Sequence, residues 1–202
     1  VQVADVTSAY AVLSIMGPNS RKLLSKLTDE DISNDNFPFG SAKEIEIGYS
    51  KALALRVTYV GELGWELYIT SEFAQDLYDR LLEAGKEMGL KHAGMHALNS
   101  LRLEKAYRHW GHDITDEDTP LEAGLSFAVA WDKSGGFLGR EALIRKKENG
   151  LLKKRMVQFA LENPEPLLYH NEPIWCGNTI VGDTTSGMYG HSIGSCLGMG
   201  YI

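Results

Sequence analysis

Apolar and polar positions in the first half of the chain follow two alternating periods. Residues 11–16 (Ala-Val-Leu-Ser-Ile-Met) read as a strand. Gly17-Pro18-Asn19 turns it into a helix over 20–27, with Leu23, Leu24 and Leu27 on one face. A polar, proline-containing connection occupies 29–40. Strands are predicted over 42–49, where Ile45 and Ile47 alternate with charged residues, and over 51–60, with a return strand at 65–69. These three make an antiparallel meander. Thr70 or Ser71 caps the next helix, Phe73, Leu77, Leu81 and Leu82 form its apolar stripe, and Gly89 ends it. A second helix runs from about 94 to 107, with Leu98, Leu101 and Ala106 inward and Arg102 and Glu104 in its middle. Thr119-Pro120-Leu121-Glu122 is a capping box with proline at the first helical position, so Glu122 has a structural role in reaching back to the cap N–H. A short strand is expected at 127–131 and a helix at 139–149.

From Lys153 the texture changes. Residues 156–161 alternate, and short β segments follow, broken by Asn-Pro, Cys-Gly-Asn, Gly-Asp and Ser-Gly. The expected organisation is α+β: an antiparallel meander with packed helices over 1–152, then a small, incomplete β-barrel module over 153–202. Residues 197–202 read as a final strand with nothing after it to pair.

The return at 60–65 carries the sharpest chemistry. Gly61 and Gly64 bracket a four-residue loop, and glycine supplies the positive φ such loops need. If Val60 pairs with Trp65, Tyr59 stands opposite Glu66 on one face, beside Val57 and Tyr68. Thr58, Val60, Trp65, Leu67 and Ile69 form the other, core-like face. A carboxylate between two tyrosines, without a cation beside it, needs a hydrogen-bonding partner if buried. A ligand donating two parallel N–H bonds would satisfy it. The plain alternative is a half-exposed strand with a solvated Glu.

Composition narrows the classes. The chain has 202 residues, 44% hydrophobic and 23% charged, as expected of a globular protein. Its net charge of −7 argues against a nucleic-acid partner, which needs a basic stripe. Arg145-Lys146-Lys147 and Lys153-Lys154-Arg155 read as a solvated helix end and strand start. No apolar run approaches membrane-spanning length, so no membrane partner is expected. Two cysteines, Cys176 and Cys196, are too few for a disulfide scaffold. Free thiols and the absence of a signal peptide point to a cytoplasmic location, or the mitochondrial matrix in a eukaryote. His109-Trp110-Gly111-His112-Asp113 invites a metal reading, but no further ligand falls at a fixed spacing, and none is expected. Neither cysteine shows a base partner.

Tyr59-Val60-Gly61-Glu62-Leu63-Gly64-Trp65-Glu66 resembles the signature of the folate-binding T-protein (aminomethyltransferase) superfamily. So do Leu13-Ser14-Ile15-Met16-Gly17-Pro18-Asn19-Ser20, Asn99-Ser100-Leu101-Arg102-Leu103-Glu104-Lys105, Thr119-Pro120-Leu121-Glu122-Ala123-Gly124-Leu125 and the tail from Thr185 to Tyr201. The likeness covers nearly the whole chain. It implies that Glu66 holds the pterin ring of tetrahydrofolate and that Tyr59 lines the same pocket. A pterin presents a ring N–H next to an amino group, and a carboxylate can accept both. Gly64-Trp65-Glu66, and Leu101-Arg102-Leu103-Glu104-Lys105 followed by Trp110-Gly111, are similar to the folate domain of sarcosine and dimethylglycine dehydrogenases. That subgroup implies an FAD-dependent demethylating oxidoreductase whose flavin domain, a partner outside this chain, oxidises an N-methyl amine. The folate domain then captures the one-carbon unit as 5,10-methylenetetrahydrofolate.

Two departures qualify the likeness. Leu98 stands where free T-protein has a folate-contacting arginine, which weakens the match to aminomethyl transfer. The superfamily's catalytic aspartate falls before Val1, and Asp5 is not in its place. The catalytic residue is therefore unassigned, and the expectation is a chain that begins inside the folate domain and ends before the last barrel segment. The alternatives are a non-catalytic regulatory subunit of the same fold, similar to the pyruvate dehydrogenase phosphatase regulator, and an aminomethyltransferase of the glycine cleavage system.

Overall fold

The computed structural model describes residues 1–150 and 152–202. They pack as two compact units, Val1–Gly94 and Met95–Ile202.

The first unit is a four-stranded antiparallel sheet with helices on one face. Its strands are β1 (Tyr10–Met16), β2 (Ala42–Ile47), β3 (Ser50–Leu55) and β4 (Gly64–Thr70), in the order β1-β4-β3-β2. The predicted meander is present as β2-β3-β4, and β1 adds to the far side of β4, pairing over its whole length from Tyr10↔Thr70 to Met16↔Gly64. The helices are α1 (Ser20–Leu24), shorter than its apolar pattern, and α2 (Ala74–Gly85). A 3-10 turn over Ser71–Phe73 leads into α2, and Gly89 at φ 74° ends the 3-10 turn that follows it. Ile45, Ile47, Trp65, Leu67, Ile69 and Leu77 form the buried centre of this unit. The inward residues of β4 alternate as the strand period requires: Trp65, Leu67 and Ile69 are buried, Glu66 and Tyr68 only half so.

The second unit opens with α3 (Met95–Glu104). The helix stops short of residue 107 because the chain closes it with a Schellman turn. Tyr107 N–H reaches the Arg102 carbonyl at 3.0 Å and Ala106 N–H the Leu103 carbonyl at 3.0 Å, with Ala106 in the left-handed region at φ 55°. The capping box at Thr119 forms as the sequence predicts. Glu122 Oε2 accepts from Thr119 N–H at 3.1 Å, and Glu122 N–H returns the bond to Thr119 Oγ1 at 3.3 Å. It caps a turn rather than a continuing helix. The strand expected at 127–131 is absent. Its backbone is spent on local turn bonds, Ala128 N–H to Leu125 O and Trp131 N–H to Val129 O, around a 3-10 turn at Ser126–Ala128. α4 (Arg140–Glu148) follows.

The remaining strands, β5 (Met156–Ala160), β6 (Pro173–Cys176), β7 (Thr179–Gly190) and β8 (Ser195–Tyr201), form a second antiparallel sheet in the order β5-β8-β7-β6. The last strand, expected to lack a partner, pairs on both edges, with Met156–Ala160 on one side and Asp183–Gly190 on the other. Leu103 of α3 packs with Met156, Leu197 and Met199 beneath this sheet, and Ser100 Oγ donates to the Tyr189 carbonyl at 2.7 Å. Among the described residues, no helix is long and apolar enough to cross a membrane.

Candidate functional site

Glu66 sits at the middle of β4, flanked on both sides. Its cross-strand partners are Ser14 on β1 and Leu55 on β3. The next row on the same face is Val12–Tyr68–Leu53. Helices cover the opposite face, so this one is open: Val12 is 47% and Leu53 42% exposed. The face is therefore mixed: Val12, Leu53 and Leu55 are its apolar part around the half-buried Glu66, with Ser14 beside it and Glu44, Glu46 and Lys51 towards the β2 edge. Tyr68 Oη donates to Glu66 Oε2 at 2.9 Å. The bond to Glu66, followed by burial and the carboxylate's charge, raises the pKa of the Tyr68 phenol above its ordinary value. Among the described residues no cation is paired with Glu66.

On β4 the faces alternate as predicted, but the strand expected over 51–60 stops at Leu55, so residues 57–60 lie on no sheet face and the predicted register does not form. β3 ends at Leu55, and Leu55, not Tyr59, stands opposite Glu66. Residues 56–63 form a longer loop that carries Tyr59, half-buried. The backbone leaves the ladder at Arg56, whose N–H and C=O turn to Ser41 and Gly40 (both at 2.9 Å) instead of to β4. Val57 N–H then closes a tight turn on the Leu55 carbonyl at 3.0 Å. Gly61 adopts φ 70°, as a loop glycine should. Gly64 has a different reason: it is the first residue of β4, and a Cβ there would lie 2.7 Å from Met16 Cγ and 3.0 Å from the Ile15 carbonyl.

The loop is moored to the corner between β1 and α1. Gly17 N–H donates to the Leu63 carbonyl at 2.8 Å, and the buried Ser20 Oγ lies 2.9 Å from the same oxygen and 2.7 Å from Gly17 O. Met16-Gly17-Pro18-Asn19-Ser20 thus anchors the segment that bears Tyr59. On the covered side, the Arg21 and Arg56 guanidinium groups lie 5.3 and 5.1 Å from the Trp65 ring and share the Asn34 Oδ1 acceptor. Burial, together with the charge of Arg21, lowers the Arg56 pKa. These cations brace β4 from the face opposite Glu66.

The second unit holds a buried polar network that sequence reading did not reach. Arg102 and Asp113 have side chains 5% and 0% exposed and meet at 2.6 Å. Asp113 also accepts from His109 N–H at 2.7 Å and from the Thr185 and Ser186 hydroxyls, each at 2.6 Å. The aspartate of the His-Trp-Gly-His-Asp motif is therefore consumed by structure. Among the described residues no cluster of three or more His, Cys, Asp or Glu side chains is placed to hold a metal ion. A cleft of about 320 Å³ opens beside this network, lined by Asn99, Arg102, His109, His112, Tyr169 and His170 among others. Only the spacing of Arg102 and Asp113 within recognised motifs could have signalled the pair.

Comparison with known proteins places this geometry. In fold, the chain matches the glycine cleavage system aminomethyltransferase T from Bartonella henselae with a TM-score of 0.80, at 24% identity, over 96% of this chain and 51% of that one. Residues 1–133 match the GCVT N-terminal domain and residues 154–202 the glycine cleavage T-protein C-terminal barrel domain. The chain belongs to the glycine cleavage T-protein family. It is 46% identical to 4-methylaminobutanoate oxidase (formaldehyde-forming) of Paenarthrobacter nicotinovorans, over 98% of this chain and 24% of that protein. It is 42% identical to human mitochondrial dimethylglycine dehydrogenase, over 100% of this chain and 23% of that protein. An aminomethyltransferase of Caldanaerobacter subterraneus is 37% identical over 100% of this chain and 53% of its own length. The chain thus spans about a quarter of the length of the oxidase and the dehydrogenase.

Proposed function

We propose that this chain is the tetrahydrofolate-binding part of a flavin-dependent N-methyl amine demethylase, in which Glu66 anchors the pterin and Tyr59 lines its pocket. The observation that carries the reading is the Glu66 carboxylate. It stands half-buried and, among the described residues, without a paired cation, on an open sheet face beside Ser14, Val12, Leu53 and Leu55. A flat heterocycle can cover that face while its ring N–H and amino group donate to the carboxylate, so these residues fit a pterin. The 46% and 42% identities to a methylaminobutanoate oxidase and a dimethylglycine dehydrogenase support the demethylase over amino-group transfer. Leu98, in place of the arginine that the T-protein pattern carries, supports it too.

Bound tetrahydrofolate supplies the nitrogen nucleophiles that take up a one-carbon unit as 5,10-methylenetetrahydrofolate. The residues of this chain hold that acceptor in place, which raises its effective concentration and limits the escape of formaldehyde. FAD belongs, in this reading, to a separate flavin domain; the sequence of this chain holds no Gly-x-Gly-x-x-Gly motif for it. The amine oxidation is assigned to that domain.

Calorimetric titration of the chain with 5-formyltetrahydrofolate, beside Glu66→Ala, tests the reading. Loss of a carboxylate accepting two N–H groups should weaken binding by about 2–3 kcal/mol. A folded chain that binds no folate, or binds it equally well without the carboxylate, refutes the assignment.

A further inference from the structure

Glu66 is not alone on its face. Two residues along the same strand, Tyr68 turns its phenol back and donates to Glu66 Oε2 at 2.9 Å. Side chains two apart on a strand share a face, so this bond is built into β4 itself and needs no loop to hold it. Its cross-strand partners are Val12 on β1 and Leu53 on β3. A tyrosine beside an open surface can give its O–H to water; this one gives it to the carboxylate. The raised pKa of the phenol agrees with a hydroxyl that stays protonated and donates.

An ionised carboxylate is acceptor-only, with about four lone-pair sites on two oxygens. Left to itself, a glutamate on an open sheet face swings among rotamers, and a ligand must stop that motion when it binds. Tyr68 engages one oxygen beforehand. The carboxylate then meets the ligand in a restricted orientation, with its remaining lone pairs available for N–H donors.

We propose that Tyr68 is a positioning residue for the pterin: its hydroxyl preorients Glu66, and its effect on binding runs through that carboxylate. The inference rests on the folate reading given above. It states which second residue of β4 sets the affinity, and by what route.

Four proteins decide it: the chain itself, Tyr68→Phe, Glu66→Ala and the double variant, each titrated calorimetrically with 5-formyltetrahydrofolate. Phenylalanine keeps the ring and removes only the hydroxyl, and urea midpoints check that each variant folds. Tyr68→Phe should weaken binding about 5- to 10-fold, the cost of ordering on binding one side chain that the hydroxyl had held beforehand. In the Glu66→Ala background the same substitution should change affinity less than about twofold, because the group it positions is gone. A purely structural role for Tyr68 would cost the same factor in both backgrounds, and that result overturns the proposal. So does Tyr68→Phe binding at wild-type affinity while Glu66→Ala is weakened; in that case the folate reading survives. Glu66→Ala binding as well as the unaltered chain, or no binding by the unaltered chain, removes the folate reading and this proposal with it.

Discussion

Replacing Asp113 by asparagine removes one charge from the centre of the second unit while keeping the side chain's volume. The structure sets the size of the effect. Asp113 is fully buried and accepts four hydrogen bonds, from Arg102 Nη1, His109 N–H, Thr185 Oγ1 and Ser186 Oγ. Arg102 is itself only 5% exposed, so the substitution leaves a guanidinium buried without its counter-charge. Breaking a buried pair from one side costs about 3–5 kcal/mol. The new amide also turns N–H groups toward hydroxyl and backbone donors that had a carboxylate to bind, which adds to the loss. Urea unfolding followed by circular dichroism reads it out. With a slope of roughly 2 kcal/mol per molar urea, the midpoint should fall by about 1.5–2.5 M. Replacing both partners, as Arg102→Met with Asp113→Leu, should cost less than Asp113→Asn alone, since no unpaired charge remains. A midpoint for Asp113→Asn within about 0.3 M of the unaltered chain would refute the reasoning, because at the ~2 kcal/mol per molar slope it leaves no room for an uncompensated buried cation.

Three further outcomes follow from the same structure. Burial alone would raise the Glu122 carboxyl, but the hydrogen bonds from Lys146 and Thr119, with the Lys146 charge, hold it down at about 2 against an ordinary 4.5. A depressed carboxyl stabilises above its unfolded pKa, so this contribution is complete above about 4.5 and is lost as the pH falls to about 2. Lys146 is 30% exposed, so screening trims it to on the order of 2 kcal/mol; Glu122→Gln should lower stability at pH 7 by that amount and flatten the acid limb of the unfolding profile. Ala106 occupies the left-handed cap of α3, and Ala106→Gly should raise thermal stability by about 0.5–1 kcal/mol; an unchanged or lower melting temperature counts against the cap assignment. Cys176 is exposed and Cys196 buried, so a thiol reagent should modify Cys176 in the native chain and reach Cys196 only on unfolding.

Much of this fold is written locally. The alternation of Trp65, Leu67 and Ile69 with Glu66 and Tyr68 placed each side chain on its face, because a strand's period is fixed by backbone geometry. Thr119 and Glu122 announced their capping box because a span of four residues suffices to build it. What stayed hidden depends on partners distant in sequence. Nothing in residues 10–16 says that they pair with 64–70 rather than with 42–47. The loop at 56–63 is long because Arg56 bonds to residues 40 and 41, a contact no local pattern encodes. Phe127 to Trp131 is apolar enough for a strand, yet its backbone closes on itself. For the site, Glu66 could be read from a motif and a face, while Tyr68 as its donor and the Arg102–Asp113 pair needed coordinates.

The placement of β8 has a consequence for how the second sheet comes into being. This strand is the last of the four to be synthesised, and it pairs with both β5 and β7. While a ribosome makes the chain, at about 5–20 residues per second, β5 waits a few seconds for a partner that has not yet been translated. β6 and β7 can zip into a hairpin during that interval, but β7 keeps its other edge open. Until β8 has emerged, the edges of β5 and β7 that it covers in the finished sheet are both unpaired, each competent to recruit a foreign strand. The interval before Ser195–Tyr201 emerges is therefore when this sheet is most open to mispairing.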